Sequence, residues 1–379
     1  MPAQIWSATF MRRILSLDGG GIRGIFTLQV LKQIETLFRD ARSRPDLVLR
    51  DEFHLFAGTS TGAVIATCLA WGMSVDDVEQ LYVQQGAYMF AKAPWYVRWK
   101  SKYRSDPIVD MFRQHFCEDD ARRSPALLGT SKLMRPGRET YLLIVMRNAS
   151  TGSPWPVSNN PRAVFNDEAL PDCNLRIPLW QLMRASTAAP MYFRPQGIRI
   201  AGETHVFVDG GLTAFNNPAL IAVLTATLPS YKLEWETGVN KLLVISVGTG
   251  QTRRGFTKHD PDAINLVEQA KSLVPALMGS IAQQQDMLCR VIGHCRCGGP
   301  IDSELGDLKE SGLLPATEKK FSYLRYNREF THAETQRLRQ LTGQRFALDN
   351  LRLIPFLQEA GREYSKRTVR ADDLMLTVQ

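Results

Sequence analysis

The stretch Arg13-Ile14-Leu15-Ser16-Leu17 runs directly into Asp18-Gly19-Gly20-Gly21-Ile22-Arg23-Gly24. Ile14 to Leu17 reads as a short buried strand. After the glycines a helix is predicted from Gly24 to Phe38, because Phe26, Val30, Ile34 and Leu37 recur at helical spacing. A buried strand feeding a glycine turn and then a helix points to an α/β fold.

The same grammar repeats downstream. Phe53 to Ala57 reads as a strand, ends in Gly58-Thr59-Ser60-Thr61-Gly62, and is followed by a predicted helix from Ala63 to Ala70. Tyr141 to Met146 is nearly all apolar, as a central parallel strand should be. His205 to Val208 and Lys241 to Val247 are two further strands, ending in Asp209-Gly210-Gly211 and Gly248-Thr249-Gly250. Helices are predicted at Val75 to Ala87, Leu179 to Thr187, Pro218 to Thr227 and Asp262 to Met287, the last kinked or broken at Pro275. Gly293 to Pro300 reads as a break, with helices beyond it at Phe330 to Leu341 and Leu351 to Tyr364. Arg147 to Pro161 and Gly250 to Pro261 read as the least ordered stretches. With no linker visible, one main domain with a C-terminal elaboration is expected.

The chain of 379 residues can bury a large core, and 44% hydrophobic with 22% charged residues excludes a wholly disordered or collagen-like chain. No uncharged apolar run is long enough for a membrane span. The first twelve residues show no signal-peptide pattern, so a cytoplasmic protein is expected. The net charge of +8 suits a solvated basic surface or attraction to an anionic one. Arg98 to Arg104 interleaves cations with Trp99 and Tyr103, a pattern suited to a lipid headgroup layer or to a packed loop. Six scattered cysteines make no disulfide framework. Cys289, His294, Cys295 and Cys297 do not have zinc-site spacing, since only Arg296 separates the last two; a turn is expected there and no metal.

Gly58 to Gly62 fits the G-x-S-x-G nucleophile elbow. The turn is sharp, its glycines remove clashing Cβ atoms, and Ser60 is left exposed near the free N–H groups of a helix start. Asp18 to Gly24 admits two functional readings. Gly19, Gly21 and Gly24 satisfy a G-x-G-x-x-G phosphate loop, yet Asp40 is poorly placed to hold a ribose. Alternatively the glycines turn backbone N–H groups towards a developing negative charge; a plain turn is the bland alternative. Asp209 ends a strand and suits a base. His205, His259, His294 and His332 have no comparable setting, so a serine and an aspartate emerge without a histidine.

In their order, Asp18 to Gly24, Gly58 to Gly62 and Asp209 to Gly211 resemble the patatin-like phospholipase family. Arg184 to Phe193 and Ser246 to Gly250 extend the similarity over most of residues 12–250. The resemblance implies a three-layer α/β/α fold with a mostly parallel central sheet and a helical C-terminal extension. Residues 12–255 would form the catalytic region, and 256–379 would complete the same domain, with a regulatory role open. It implies a Ser–Asp dyad of Ser60 (nucleophile) and Asp209 (base), with an oxyanion hole from Gly19, Gly20 and Gly21. Arg23, Gly24, Gly58, Gly62, Gly210 and Gly211 would support these motifs, and catalysis would need no cofactor. The implied substrate is membrane phospholipid, met peripherally at the inner membrane surface; DNA and RNA polymers are not expected, and a homo-oligomer is left open.

Some bacterial members of similar size are effectors of cyclic-oligonucleotide anti-phage systems. On that resemblance a cyclic di- or trinucleotide is a candidate activator, with Tyr323, Arg325, Tyr326 and Arg328 as candidate contacts. Constitutive lipid acyl hydrolysis or acyl transfer, and an inactive binding protein, are the alternatives. Lids are expected at Tyr88 to Tyr103, through Met89, Phe90, Trp95, Tyr96 and Trp99, and at Gly152 to Pro161. Arg184, Ser186 and Thr187 are expected to anchor a helix end, with Pro190 to Phe193 packing or lining an acyl pocket.

Overall fold

The computed structural model describes residues 11–89, 103, 106–119, 121, 123–135, 138–190, 192–252, 266–309, 314–342 and 349–376. The strands are β1 (Arg12–Leu17), β2 (Leu55–Thr59), β3 (Met134–Arg135), β4 (Arg138–Glu139), β5 (Tyr141–Asn148), β6 (Pro154–Ser158) and β7 (Gln196–Ile200). They continue with β8 (Glu203–Asp209), β9 (Leu242–Val247), β10 (Gln251–Thr252), β11 (His294–Cys297), β12 (Ser322–Tyr326) and β13 (Glu329–Phe330). The helices are α1 (Gly24–Arg42), α2 (Thr61–Trp71), α3 (Val75–Met89), α4 (Asp106–His115) and α5 (Leu179–Ser186). After these come α6 (Ala219–Thr227), α7 (Leu266–Ile292), α8 (His332–Thr342) and α9 (Ile354–Thr368).

Nine strands form the main sheet in the order β11-β12-β9-β1-β2-β5-β8-β7, with β6 also paired to β5. The run from β11 to β5 is parallel, while β6, β8 and β7 pair antiparallel. Side-chain alternation divides the core in two. Leu15, Leu17, Phe56, Ile144, Ile245 and Leu324 face one layer with α1, α2 and α9. Ile14, Leu55, Ala57, Val145, Val244 and Tyr323 face the other with α6. Helices therefore cover both faces, as near-continuous apolar parallel strands require. α2 is buried all round because it lies directly on β1, β2 and β5.

Four expectations are corrected. The segment after residue 256 supplies α7, α8 and α9, and also β11 and β12 of the main sheet. The expected turn around Cys295 is strand β11, whose Cys295 and Cys297 thiols are buried in the core layers on opposite faces of the sheet. Pro154 to Ser158, read as part of a loose lid, is sheet strand β6; its prolines are tolerated because it lies at an edge. α7 runs through Pro275 without a break. Trp95, Tyr96, Trp99 and Phe90 of the other expected lid lie outside the described residues.

Candidate functional site

β2 delivers Ser60 at its carboxyl end, and α2 starts at the next residue. The turn is so tight that Ser60 adopts φ 55°, ψ −122°. Such a left-handed backbone costs on the order of 1–3 kcal/mol in a non-glycine residue and is found where function needs it. Gly62 allows the turn: a Cβ there would run into the Leu17 carbonyl oxygen at the end of β1. Ser186 pins the elbow from α5. Its hydroxyl accepts the Ser60 N–H at 2.9 Å and donates to the Val145 carbonyl at 2.6 Å.

The position of Asp209 follows from the pairing. A strand has two edges, and β6 occupies one edge of β5 from Leu143 to Arg147. β2 takes the other edge up to Val145, and β8 pairs with Met146 to Asn148. β8 must therefore lie just past the end of β2, in line with Ser60. Its last residue is Asp209, and Ser60 Oγ donates to Asp209 Oδ2 at 2.7 Å. The Gly211 N–H, in the helical turn Gly210–Leu212, donates to Asp209 Oδ1 at 2.7 Å. Among the described residues the serine hydroxyl bonds to a carboxylate and to no histidine.

Asp209 is buried, and removal from water pushes its carboxyl up to about 6. The Ser60 hydroxyl, the Gly211 N–H and the Arg184 cation each pull it down, less strongly. Arg184 is itself buried and held down to about 10, also by desolvation. A reaction needing ionised Asp209 should rise about tenfold per pH unit on the acid side. It should level off above about 6. Measuring kcat/KM on a soluble ester from acid to neutral pH checks this. A midpoint at the ordinary carboxylate value, about 4, would contradict it.

The glycine loop lies against the serine. A Cβ on Gly19 would stand 3.3 Å from Ser60 Cβ and 2.5 Å from Asn216 Oδ1. The Gly19 N–H donates to the Asn216 carbonyl at 3.1 Å, so Gly19 is removed from the expected oxyanion set. Gly20 and Gly21 open a short helical turn, and among the described residues no hydrogen bond engages their N–H groups. Arg23 braces this loop, donating from Nε to the Gly20 carbonyl at 3.2 Å and from Nη1 to Gly250 at 3.0 Å. Gly24 begins α1, and Gly58 lies inside β2.

The expected nucleotide contacts fare differently. Tyr323, Arg325 and Tyr326 are buried in β12 and offer no surface to a ligand. Arg325 is instead ion-paired with Asp18 at 2.6 Å. Arg328, part-buried, pairs with Glu334 at 2.7 Å. Sequence reasoning missed the Asp18–Arg325 pair, the anchoring role of Ser186 on Ser60, and Asn216 beside Gly19. Thr187 does cap α5, its hydroxyl donating to Met183 at 2.9 Å. Phe193 packs against Tyr103 and beneath the Arg184 guanidinium. No group of metal-ligating side chains occurs among the described residues.

A strained serine hydrogen-bonded to a desolvated carboxylate, with backbone donors alongside, is an arrangement suited to acyl transfer through a serine nucleophile. This chain belongs to the patatin-like phospholipase family, whose profile matches residues 15–223, more than half its length. A cGAMP-activated phospholipase of Vibrio cholerae is 30% identical over 244 residues, covering 62% of this chain and 64% of that protein. A cUMP-AMP-activated phospholipase of Escherichia coli is 28% identical over 239 residues, 63% of this chain and 64% of that protein. The 85/88 kDa calcium-independent phospholipase A2 of Rattus norvegicus is 28% identical over 254 residues, 63% of this chain and 27% of that protein. The match thus spans less than two thirds of each relative. Among the described residues no helix is long and apolar enough to cross a membrane.

Proposed function

We propose that this chain is a lipid acyl hydrolase of the phospholipase A or lysophospholipase type, working through a Ser60–Asp209 dyad. The 2.7 Å hydrogen bond from the strained Ser60 to Asp209 carries the reading. Asp209 takes the hydroxyl proton as Ser60 Oγ attacks the ester carbonyl. The oxyanion accepts hydrogen bonds from the N–H groups of Gly20 and Gly21. Asp209 then returns the proton to the leaving lysolipid oxygen, and acyl-Ser60 remains. Water attacks the acyl carbon, its proton passes through Asp209 to Ser60 Oγ, and the fatty acid leaves. The chemistry needs no metal or organic cofactor in this sequence of steps.

Activation by a cyclic oligonucleotide is a finer reading, supported by the names of the bacterial relatives. Its contacts are then to be sought outside β12. The net charge of +8 favours anionic membrane as the surface acted upon.

Fatty-acid release from anionic phospholipid vesicles tests both readings, using wild type and S60A with a panel of cyclic di- and trinucleotides. Release by wild type and none by S60A is the expected result. Dependence on one nucleotide supports the activated form, whereas release without any nucleotide makes the enzyme constitutive. Equal release by wild type and S60A overturns the dyad.

A further inference from the structure

We infer that Arg325 is a positioning residue, which aims the Gly20 and Gly21 backbone donors at Ser60 by gripping Asp18 at the loop's entry. The inference rests on the proposal that these two glycines receive the oxyanion.

Arg325 lies in β12, far along the chain from the loop and beyond the family-matched residues 15–223. Its guanidinium forks onto Asp18, Nη1 to Oδ1 at 2.8 Å and Nη2 to Oδ2 at 2.6 Å. The sheet register explains the reach. Arg325 is opposite Ser246 of β9, and Ser246 is opposite Ser16 of β1. The small serine leaves room for the long side chain to pass over β9 to the end of β1. Ser246 also fixes its course, accepting from Arg325 Nη1 at 2.7 Å and donating to Asn217 Oδ1 at 3.2 Å.

Asp18 is the last residue before three glycines, which carry no side chain to hold their own orientation. Their peptide planes are set from outside. At the far end Arg23 holds the Gly20 carbonyl. At the near end the Asp18 N–H is bonded to Val247 at 3.1 Å, and its carboxylate plane is fixed by Arg325. Gly19, the next residue, lies so near Ser60 that a Cβ there would stand 3.3 Å from the serine Cβ. Gly19 is itself held, its N–H by the Asn216 carbonyl at 3.1 Å and its carbonyl by the Thr249 hydroxyl at 3.4 Å, so the Asp18 grip acts with these two in placing the donors that follow.

The pair is costly as a source of stability alone. Both side chains are almost wholly buried, with 4% and 5% of their surface exposed. Apolar residues of similar volume commonly replace a buried ion pair without loss of stability. Only a planar fork fixes the orientation of a carboxylate; a lysine supplies charge without that geometry.

The test uses the full chain with p-nitrophenyl butyrate, comparing wild type, S60A, R325K and the double variant D18L/R325M, with thermal unfolding of each. In R325K, kcat should fall at least about tenfold with KM changed less than about twofold. In D18L/R325M, which removes both charges, kcat should fall about a hundredfold while the folded state persists. Wild-type kcat in either folded variant overturns the inference while the dyad stands. So does a loss of kcat that merely follows the loss of thermal stability, or failure of both variants to fold, since the pair would then be structural. Equal turnover by wild type and S60A overturns the dyad proposal and this inference with it.

Discussion

Replacing Asp209 by Asn will abolish turnover and make the protein more stable at neutral pH. The first half follows from proton chemistry. An asparagine can still accept a hydrogen bond from Ser60 and lie close to the Gly211 N–H, but its amide cannot take the serine proton. Removing such a base costs at least about ten-thousand-fold in kcat. Labelling of Ser60 by a fluorophosphonate should fall in parallel.

The second half follows from burial. Desolvation raises the Asp209 carboxyl from 3.8 to about 6. The folded state therefore binds a proton more tightly than the unfolded chain does. Wild-type stability should fall as pH rises through that interval, then stay on a lower plateau. The difference corresponds to about 3 kcal/mol at neutral pH. D209N lacks this slope, so it should melt a few degrees above wild type at pH ~8 and draw level at pH ~4. Loss of the anion beside Arg184 subtracts from the gain, which makes 3 kcal/mol an upper figure. Thermal unfolding of both proteins at the two pH values decides the matter. A D209N protein less stable than wild type at the alkaline value would mean that the carboxylate is net stabilising, contrary to its burial.

Ser60 and Asp209 were legible because their signals are local. Ser60 follows the apolar strand β2 between Gly58 and Gly62, Asp209 ends β8 directly before Gly210 and Gly211, and the turn chemistry of such residues hardly depends on the rest of the chain. The helices α1 and α2 were legible for the same reason, through apolar periodicity next to a glycine turn. β12 was misread because Tyr323, Arg325 and Tyr326 suggest a wet surface when taken alone. The cation is buried only because Asp18, which shares its sheet end, supplies the counter-charge from 307 residues away. No local pattern holds that information. β6 was missed because Pro154 and Pro156 argue against a strand, and an edge position is not visible in sequence. Gly19 was counted as an oxyanion donor because its N–H is indistinguishable in sequence from those of Gly20 and Gly21. Only the fold reveals that the Asn216 carbonyl has already engaged it.

A chain ending at residue 255 should fail to fold, although it contains Ser60, Asp209 and the whole family-matched region. β9 is central only because β12 pairs along its outer edge, from Leu243 to Val247. Deleting β12 leaves a row of unpaired backbone groups along a fully buried, mostly apolar strand, a template for aggregation. α9 packs on α1, with Gly361 against Gln29 and Tyr364 5.4 Å from Phe26 ring to ring. The deletion also removes buried Leu324, Tyr326, Phe330, Leu338, Leu353 and Leu357 from the core layer that holds α1 and α2. Each is worth about 1.5–3 kcal/mol, so their sum reaches the whole stability of a typical domain. Asp18 would be left buried without Arg325, which adds about 3–5 kcal/mol of loss. The truncated chain should therefore be insoluble or show no cooperative melt, and its Ser60 should not be labelled by a fluorophosphonate. A soluble, cooperatively melting fragment labelled at the wild-type rate would mean that residues 12–255 fold and act alone. The strands after residue 256 would then be an appendage to the catalytic sheet, where the pairing of β12 with β9 makes them part of its core.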